Sequence, residues 1–379
     1  MPTPRSMRLV AVAASVLAFS LSPARLFADN FTQINLVSNG FVPAATIDPN
    51  LVNPWGIAFS ATSPFWISDQ GTGVATVYTG TGSIVSLVVT VPGGGPPSGP
   101  TGQVFNSTTS FALPGGVATN FIFDTLNGTI AARSSGATAV TVATTTGAVY
   151  TGLALGSSGT NNYLYAANTA GSGGIQVFDT NYNNVTGTTF AGKFDNPFVP
   201  AGYVPFNIQL IGSQLYVTYA ELGAGGVAVP GSTGEVAVFN TDGTFVSLLA
   251  SGGPLDAPWG IALAPAGFGS FSNDLLIGNF GSGEIDAYST TGTFEGVLDD
   301  NGVPNVDPNL WALDFRTGGA SNTNPDALYF TAGVDNQSGG LFGEIVETPE
   351  PPPFVLVGLG VLALILARFR AQPARRGSA

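Results

Sequence analysis

The chain contains no cysteine and no histidine in 379 residues. The first absence removes disulfide bonds and thiolate chemistry. The second removes the side chain most used as a general base near neutral pH and as a ligand for transition metals. Hydrolysis by a serine with an imidazole base is excluded with it, and no glycine-rich phosphate loop runs into a lysine. Charge is scarce as well. Asp, Glu, Lys and Arg make up only 9% of the chain, too little for long polar helices laced with ion pairs. The scarcity is one-sided: between residues 29 and 347 the bases are Arg133, Lys193 and Arg316, against 22 acidic residues, a net of −19. Such a surface repels nucleic acid and anionic lipid and attracts cations or basic partners. No nucleic-acid partner is expected.

What the chain has instead is glycine and proline, 52 and 27 residues, alongside 44% apolar residues. That apolar share is too high for a disordered chain. The composition reads as many short strands of Thr, Val, Phe, Tyr and Ile, separated by tight turns.

The two ends differ from the middle. Arg5 and Arg8 precede an uncharged run from Leu9 to Leu21, and Ala28 stands before Asp29, the order of a secretion signal peptide over residues 1–28. At the other end lies a tail, residues 348–379, in which Pro349-Glu350-Pro351 leads into an apolar run at 354–367 and then a basic cluster, 368–376, that includes Arg368 and Arg370. An apolar helix with arginines directly behind it inserts positive-inside and leaves the preceding domain on the outer side. The run has 14 residues, short for a span, though arginine snorkelling and bilayer thinning accommodate that. This tail resembles the PEP-CTERM sorting signal of Gram-negative bacteria that make extracellular polysaccharide. The resemblance implies an exosortase-type sorting enzyme as partner and a membrane stay through the C-terminal helix. Transient residence at the outer face of the cytoplasmic membrane would then precede delivery to the cell surface or extracellular matrix.

Between the ends, residues 29–347 carry a repeat: a small residue or proline, then glycine, then alternating apolar residues. Its copies begin at Asn53-Pro54-Trp55-Gly56, Pro100-Thr101-Gly102, Tyr150-Thr151-Gly152, Pro205-Phe206-Asn207, Pro258-Trp259-Gly260 and Leu310-Trp311-Ala312. The glycine column falls at 56, 102, 152, 207, 260 and 312, with steps of 46 to 55 residues, a propeller period and longer than a solenoid's. Each copy continues into a second strand ending in a polar residue, a glycine-rich turn, and a third alternating strand; a fourth follows a Thr-Gly or Asp-Gly turn. The expected fold is therefore all-β, a six-bladed β-propeller of four-stranded antiparallel blades. Small residues recur where inner strands crowd the axis. The last copy shows only three strands, and Phe31 to Ser38 is available as its fourth, which would close the ring and remove two edges. Pro92 to Gly102 reads as a long loop, a flap over the channel or an excursion without function. The blades resemble six-bladed propellers of the NHL and gluconolactonase-like kind. Leu51 to Phe59, Gly99 to Asn106 and Ala257 to Leu263 match a PEP-CTERM-tailed propeller family of unassigned role.

In such a ring, the ends of the second strands converge on one face. Here they carry Asp69, Asp124, Asn168, Glu221, Asn279 and Asp335. Two readings stand: their oxygens hold a hard cation such as Ca²⁺, or each braces its own hairpin. Trp55, Trp259 and Trp311 occupy equivalent positions at the channel rim, either as a stacking surface for a sugar or peptide or as inter-blade packing. Asp299, Asp300, Asp307 and Asp314 include carboxylates from which a glycosidase-like pair could be drawn, although Asp300-Asn301-Gly302 reads first as a turn. The leading expectation is an exported binding scaffold, not an enzyme, whose partner is extracellular polysaccharide, protein or a cation. The alternative is a metal-dependent hydrolase or lactonase with its site at the channel mouth.

Overall fold

The computed structural model describes residues 30–348 apart from 94, 97, 172, 224–227 and 317–322. The signal peptide, the Pro349-Glu350-Pro351 motif, the apolar run and Arg368 and Arg370 lie outside the described residues. Among the described residues no helix is long and apolar enough to cross a membrane.

Six antiparallel sheets follow one another round an axis. Blade one is Pro54–Ala58, Phe65–Asp69, Val74–Tyr78 and Val89–Thr90, and blade two is Pro100–Phe105, Phe121–Thr125, Thr129–Arg133 and Val140–Thr144. Blade four runs Tyr203–Ile211, Gln214–Glu221, Gly234–Asn240 and Phe245–Ser251; blade five runs Pro258–Leu263, Leu275–Asn279, Ile285–Tyr288 and Phe294–Val297. Blade six joins Leu310–Phe315, Leu328–Ala332 and Leu341–Thr348 to Asn30–Ser38. The N-terminal strand thus supplies the fourth strand of the last blade, paired from Asn30 opposite Thr348 to Ser38 opposite Leu341 with one slip between Asn35 and Val37. Phe31 fixes it by stacking on Phe268 and Phe271, with ring centroids 4.9 and 5.6 Å away.

Blade three departs from the expected four strands. Its sheet is Tyr150–Ser158, Asn161–Asn168 and Gly174–Phe178. The next segment meets the edge through the Phe178–Asn184 bridge, the Val185 N–H donating to Val177 O, and side-chain bonds from Thr186 and Asn184, without forming a strand. Asp179 to Asn184 is nearly all Asp and Asn around Tyr182, which sits at φ 62°, so alternation is lost and the side chains bond their own turn instead. The proposed loop from Pro92 is also shorter than expected, because Pro100, Thr101 and Gly102 already belong to the inner strand of blade two.

The inner strands explain the glycine column. An added Cβ would lie 2.6 Å from Thr101 O at Gly56, 2.3 Å from Leu153 N at Gly102, and 2.4 Å from Trp311 O at Gly260. The contacts are with backbone of the next blade, so no neighbouring rotamer relieves them. In all six blades the pairing of inner to second strand slips where this column begins, as between Pro54 and Ile57 or Pro258 and Gly260. A slip of this kind re-aims side chains. Here it turns the start of each inner strand toward the axis.

Gly102→Ala should therefore destabilise the propeller by about 1–3 kcal/mol, whereas Gly187→Ala, with open space at the added methyl, should leave the thermal unfolding midpoint nearly unchanged. A paired measurement of the two midpoints checks this; equal midpoints would mean the inner strands do not hold one another as described.

Candidate functional site: the central channel

At the end where the inner strands start, aromatic side chains from blades one, four, five and six meet. Trp55 stacks on Trp311 with ring centroids 3.5 Å apart and planes 19° from parallel. Trp259 meets both edge-on at 6.0 and 5.7 Å. Phe206 and Phe280 pack on Trp311 at 5.9 and 4.5 Å. The three indoles are 5%, 3% and 1% exposed for Trp55, Trp259 and Trp311, so they form a closed plug with no free face for a sugar.

Three local backbone conformations aim these rings. Asn53, Ala257 and Asn309, each immediately before the inner strand of its blade, have φ of 45°, 49° and 57°. The carbonyl of each accepts an N–H from the residue just past the second strand: Gln70, Phe280 and Gly333. Asn53 does more than turn the chain. Its Oδ1 accepts from Trp311 Nε1 at 2.9 Å, and its Nδ2 donates to Gln70 Oε1 at 2.7 Å and Gln337 Oε1 at 3.0 Å. One amide thereby ties blade one to blade six. Across the axis, Trp259 Nε1 donates to Thr151 O at 2.9 Å and Asn207 Nδ2 donates to Trp259 O at 2.9 Å.

The six residues at the ends of the second strands sit on this plugged face, each in its own surroundings. Asn168 Oδ1 accepts from the N–H groups of Val149 and Ala170. Asn279 Oδ1 accepts from the Asp256 N–H, and its Nδ2 donates to Asp286 Oδ2 at 2.8 Å. Asp335, exposed, accepts from the Ser338 hydroxyl. Glu221 is exposed at the end of its strand. Asp69 and Asp124 are fully buried. Among the described residues none of the six hydrogen-bonds another, and no three or more Asp and Glu side chains are grouped to hold a metal ion. Two of the six already spend their carbonyl oxygens on backbone N–H groups.

Asp69 and Asp124 remain as unusual groups. Neither Asp69 oxygen makes a hydrogen bond of good geometry; burial raises its carboxyl well above the ordinary value, with Thr76 opposing and nearby Asp48 adding to the rise. Thr101 Oγ1 lies 2.7 Å from Asp124 Oδ1 and 2.9 Å from Tyr150 O. One hydroxyl proton serves only one of these, so both contacts are satisfied when Asp124 is protonated and donates. Burial pushes Asp124 up to about 7, against the lowering bond from Thr101. Burial likewise pushes Asp286 up to about 6 and Asp307 to about 7.

The other end of the channel is open. Beyond a throat of about 20 Å³, at the far ends of the inner strands, lies a cavity of about 410 Å³. Of the four aspartates considered as an acid pair, only Asp314 lines it. Asp307 is buried and accepts from Gln33 Nε2 at 3.0 Å, while Asp299 and Asp300 belong to a separate hairpin turned at Asn301 and Gly302. A larger groove, about 580 Å³, lies away from the axis between blades two and three, with Phe111 and Tyr182 in its wall.

Two outcomes follow. Asn53→Ala leaves Trp311 Nε1 without its acceptor in a buried place and should lower stability by about 1–3 kcal/mol, with a change in tryptophan fluorescence as the plug loosens. An unchanged midpoint and spectrum would remove Asn53 from its bridging role. The raised carboxyls set the pH dependence. Between the ordinary carboxylate value and about 7, the folded chain holds protons that the unfolded chain has released, so stability falls as pH rises through that window. The thermal midpoint should therefore be higher at pH 5 than at pH 8; a midpoint that rises over this interval would contradict the buried acids described.

No family model matches this chain. It is 34% identical over 327 residues to the uncharacterized protein R648 of Acanthamoeba polyphaga mimivirus, covering 82% of this chain and 79% of that one. It is 31% identical over 336 residues to the uncharacterized protein L690 of the same virus, covering 82% and 84%. Among solved structures, it superposes on a calcium-binding regucalcin from Agrobacterium tumefaciens with TM-score 0.50 and 14% identity, over 79% of this chain and 92% of that one. A protein of unknown function from Bacteroides thetaiotaomicron gives TM-score 0.53 and 10% identity, over 85% and 76%. At such identities these two structures speak to the shared fold alone.

Proposed function

The chain belongs to the family of the mimivirus proteins R648 and L690, and from that premise we propose that it is an exported binding propeller, a scaffold and not an enzyme. It is made with the signal peptide read at residues 1–28 and sorted through its tail by an exosortase-type enzyme. Its place of action is the cell surface or extracellular matrix, and its partner is a matrix polysaccharide or protein. The observation that carries the non-enzymatic reading is the fate of the second-strand residues: Asn168 is engaged with Val149 and Ala170, Asn279 with Asp256 and Asp286, and Asp335 with Ser338. The face on which such residues would converge is filled instead by three packed indoles, two stacked and one edge-on. With a net charge of −19 between residues 29 and 347, the partner surface is neutral or basic.

One observation favours the rival reading, a metal-dependent hydrolase or lactonase: the unpartnered oxygens of Asp69 and Asp124. Calorimetric titration of the purified full-length chain with calcium chloride, before and after chelation, separates the two. The scaffold reading expects no stoichiometric uptake and cosedimentation with the extracellular polysaccharide of the producing cell that survives chelation. Stoichiometric uptake lost in Asp69→Asn or Asp124→Asn would put the metal enzyme in its place.

A further inference from the structure

The open cavity is lined where the inner strands end, and its polar and apolar groups are unevenly divided. Phe59, Phe105 and Leu155 give it apolar walls, while Gln103, Gln209, Asp314 and the hydroxyls of Ser107, Thr108 and Ser157 bring polar groups to it. Gln103 is 5% exposed and commits both amide protons, to Gly56 O at 2.7 Å and Trp66 O at 2.6 Å. Its Oε1 is buried and has no hydrogen-bond partner. Asp314 is half-buried, and no Lys or Arg is among the residues lining the cavity. Ser107, Thr108, Ser157 and Gln209 can donate as well as accept, so the choice of ligand falls to the carboxyl, which has no cation in the lining and favours a charged donor over a neutral polyol.

We propose that this cavity binds a small organic ammonium ion, its N–H groups taken by the Asp314 carboxylate and its hydrocarbon part held by Phe105 and Leu155. The net negative charge of the domain draws such an ion in, and the apolar walls shelter the contact from water. The proposal holds whether or not the chain is exported, and it concerns the end of the channel opposite Asp69 and Asp124. Burial pushes Asp314 up to about 7, opposed by a hydrogen bond from the Phe315 backbone, so the site gains negative charge as pH rises. Asp314 is the only titratable side chain lining the cavity. Arg316, just past the same strand, donates to the carbonyls of Ser60 and Ser63 with its guanidinium 5.0 Å over the Phe59 ring.

Saturation-transfer NMR on the purified full-length chain, with butylammonium chloride and 1-butanol as probes, tests this. Butylammonium should bind at least about tenfold more tightly than 1-butanol at pH 8, and about tenfold more tightly at pH 8 than at pH 6, as the carboxyl ionises. Asp314→Asn, with its thermal midpoint checked, should abolish both preferences. Equal affinity for the two probes, an affinity flat from pH 6 to pH 8, or no binding at all would overturn the proposal. If the variant fails to fold, the two comparisons on the unaltered protein decide alone.

Discussion

The close approach of the inner strands is the constraint on which the rest depends. Six strands brought side by side round one axis leave no room for a β-carbon at the blade interfaces, and Gly56, Gly102, Gly152 and Gly260 meet that demand by having none. The column changes residue at two positions. Asn207 stands at the fourth and its amide caps Trp259 O, while at the sixth Ala312 carries a methyl and its N–H donates to Thr331 Oγ1, which in turn donates to Trp55 O. The same crowding displaces the strand pairing at the start of every inner strand. That displacement sends Trp55, Trp259 and Trp311 to the axis, where they fill one end of the channel. Packing of the core and closure of a functional face are thus one event.

The consequence for function is an asymmetry between the two ends. The face that gathers the second-strand residues is closed by aromatic rings, and its acids are bonded locally, as Asp335 is, buried with raised carboxyls, as Asp69 and Asp124 are, or exposed, as Glu221 is. The opposite mouth is narrow at its throat, widens to a cavity and keeps one ionisable group, Asp314. Chemistry in this molecule is therefore better sought where the inner strands end than where they begin.

Much of the architecture could be read from residues alone, because propeller geometry writes itself as period. The glycine column, the Pro-Trp-Gly starts and the alternating third strands gave blade number and order, and the spare strand at Phe31 to Ser38 closes the ring as expected. Blade three was misjudged because the stretch after Phe178 has Asn and Thr in place of an alternating pattern, and side-chain bonds to the turn replace a fourth strand. The tryptophans were legible as equivalent positions but not as a plug. Their convergence depends on positive φ at Asn53, Ala257 and Asn309, which asparagine hints at in two cases and alanine conceals in the third. Asn53 and Gln103 escaped notice because neither is charged; only the geometry shows that one bridges two blades and the other holds an oxygen free. Asp314 was visible among four acids, with nothing in its neighbours to set it apart.

The strand that closes the ring has a consequence for how the chain becomes a propeller at all. Thr32 and Thr348, bonded through their hydroxyls, are 316 positions apart, so the first and last strands meet only when the whole repeat is present. Until then, blade six lacks its outer strand and the ring has a seam. Closure of the ring therefore waits for the last strand, the longest-range pairing in the fold, even where earlier blades have already paired their own strands.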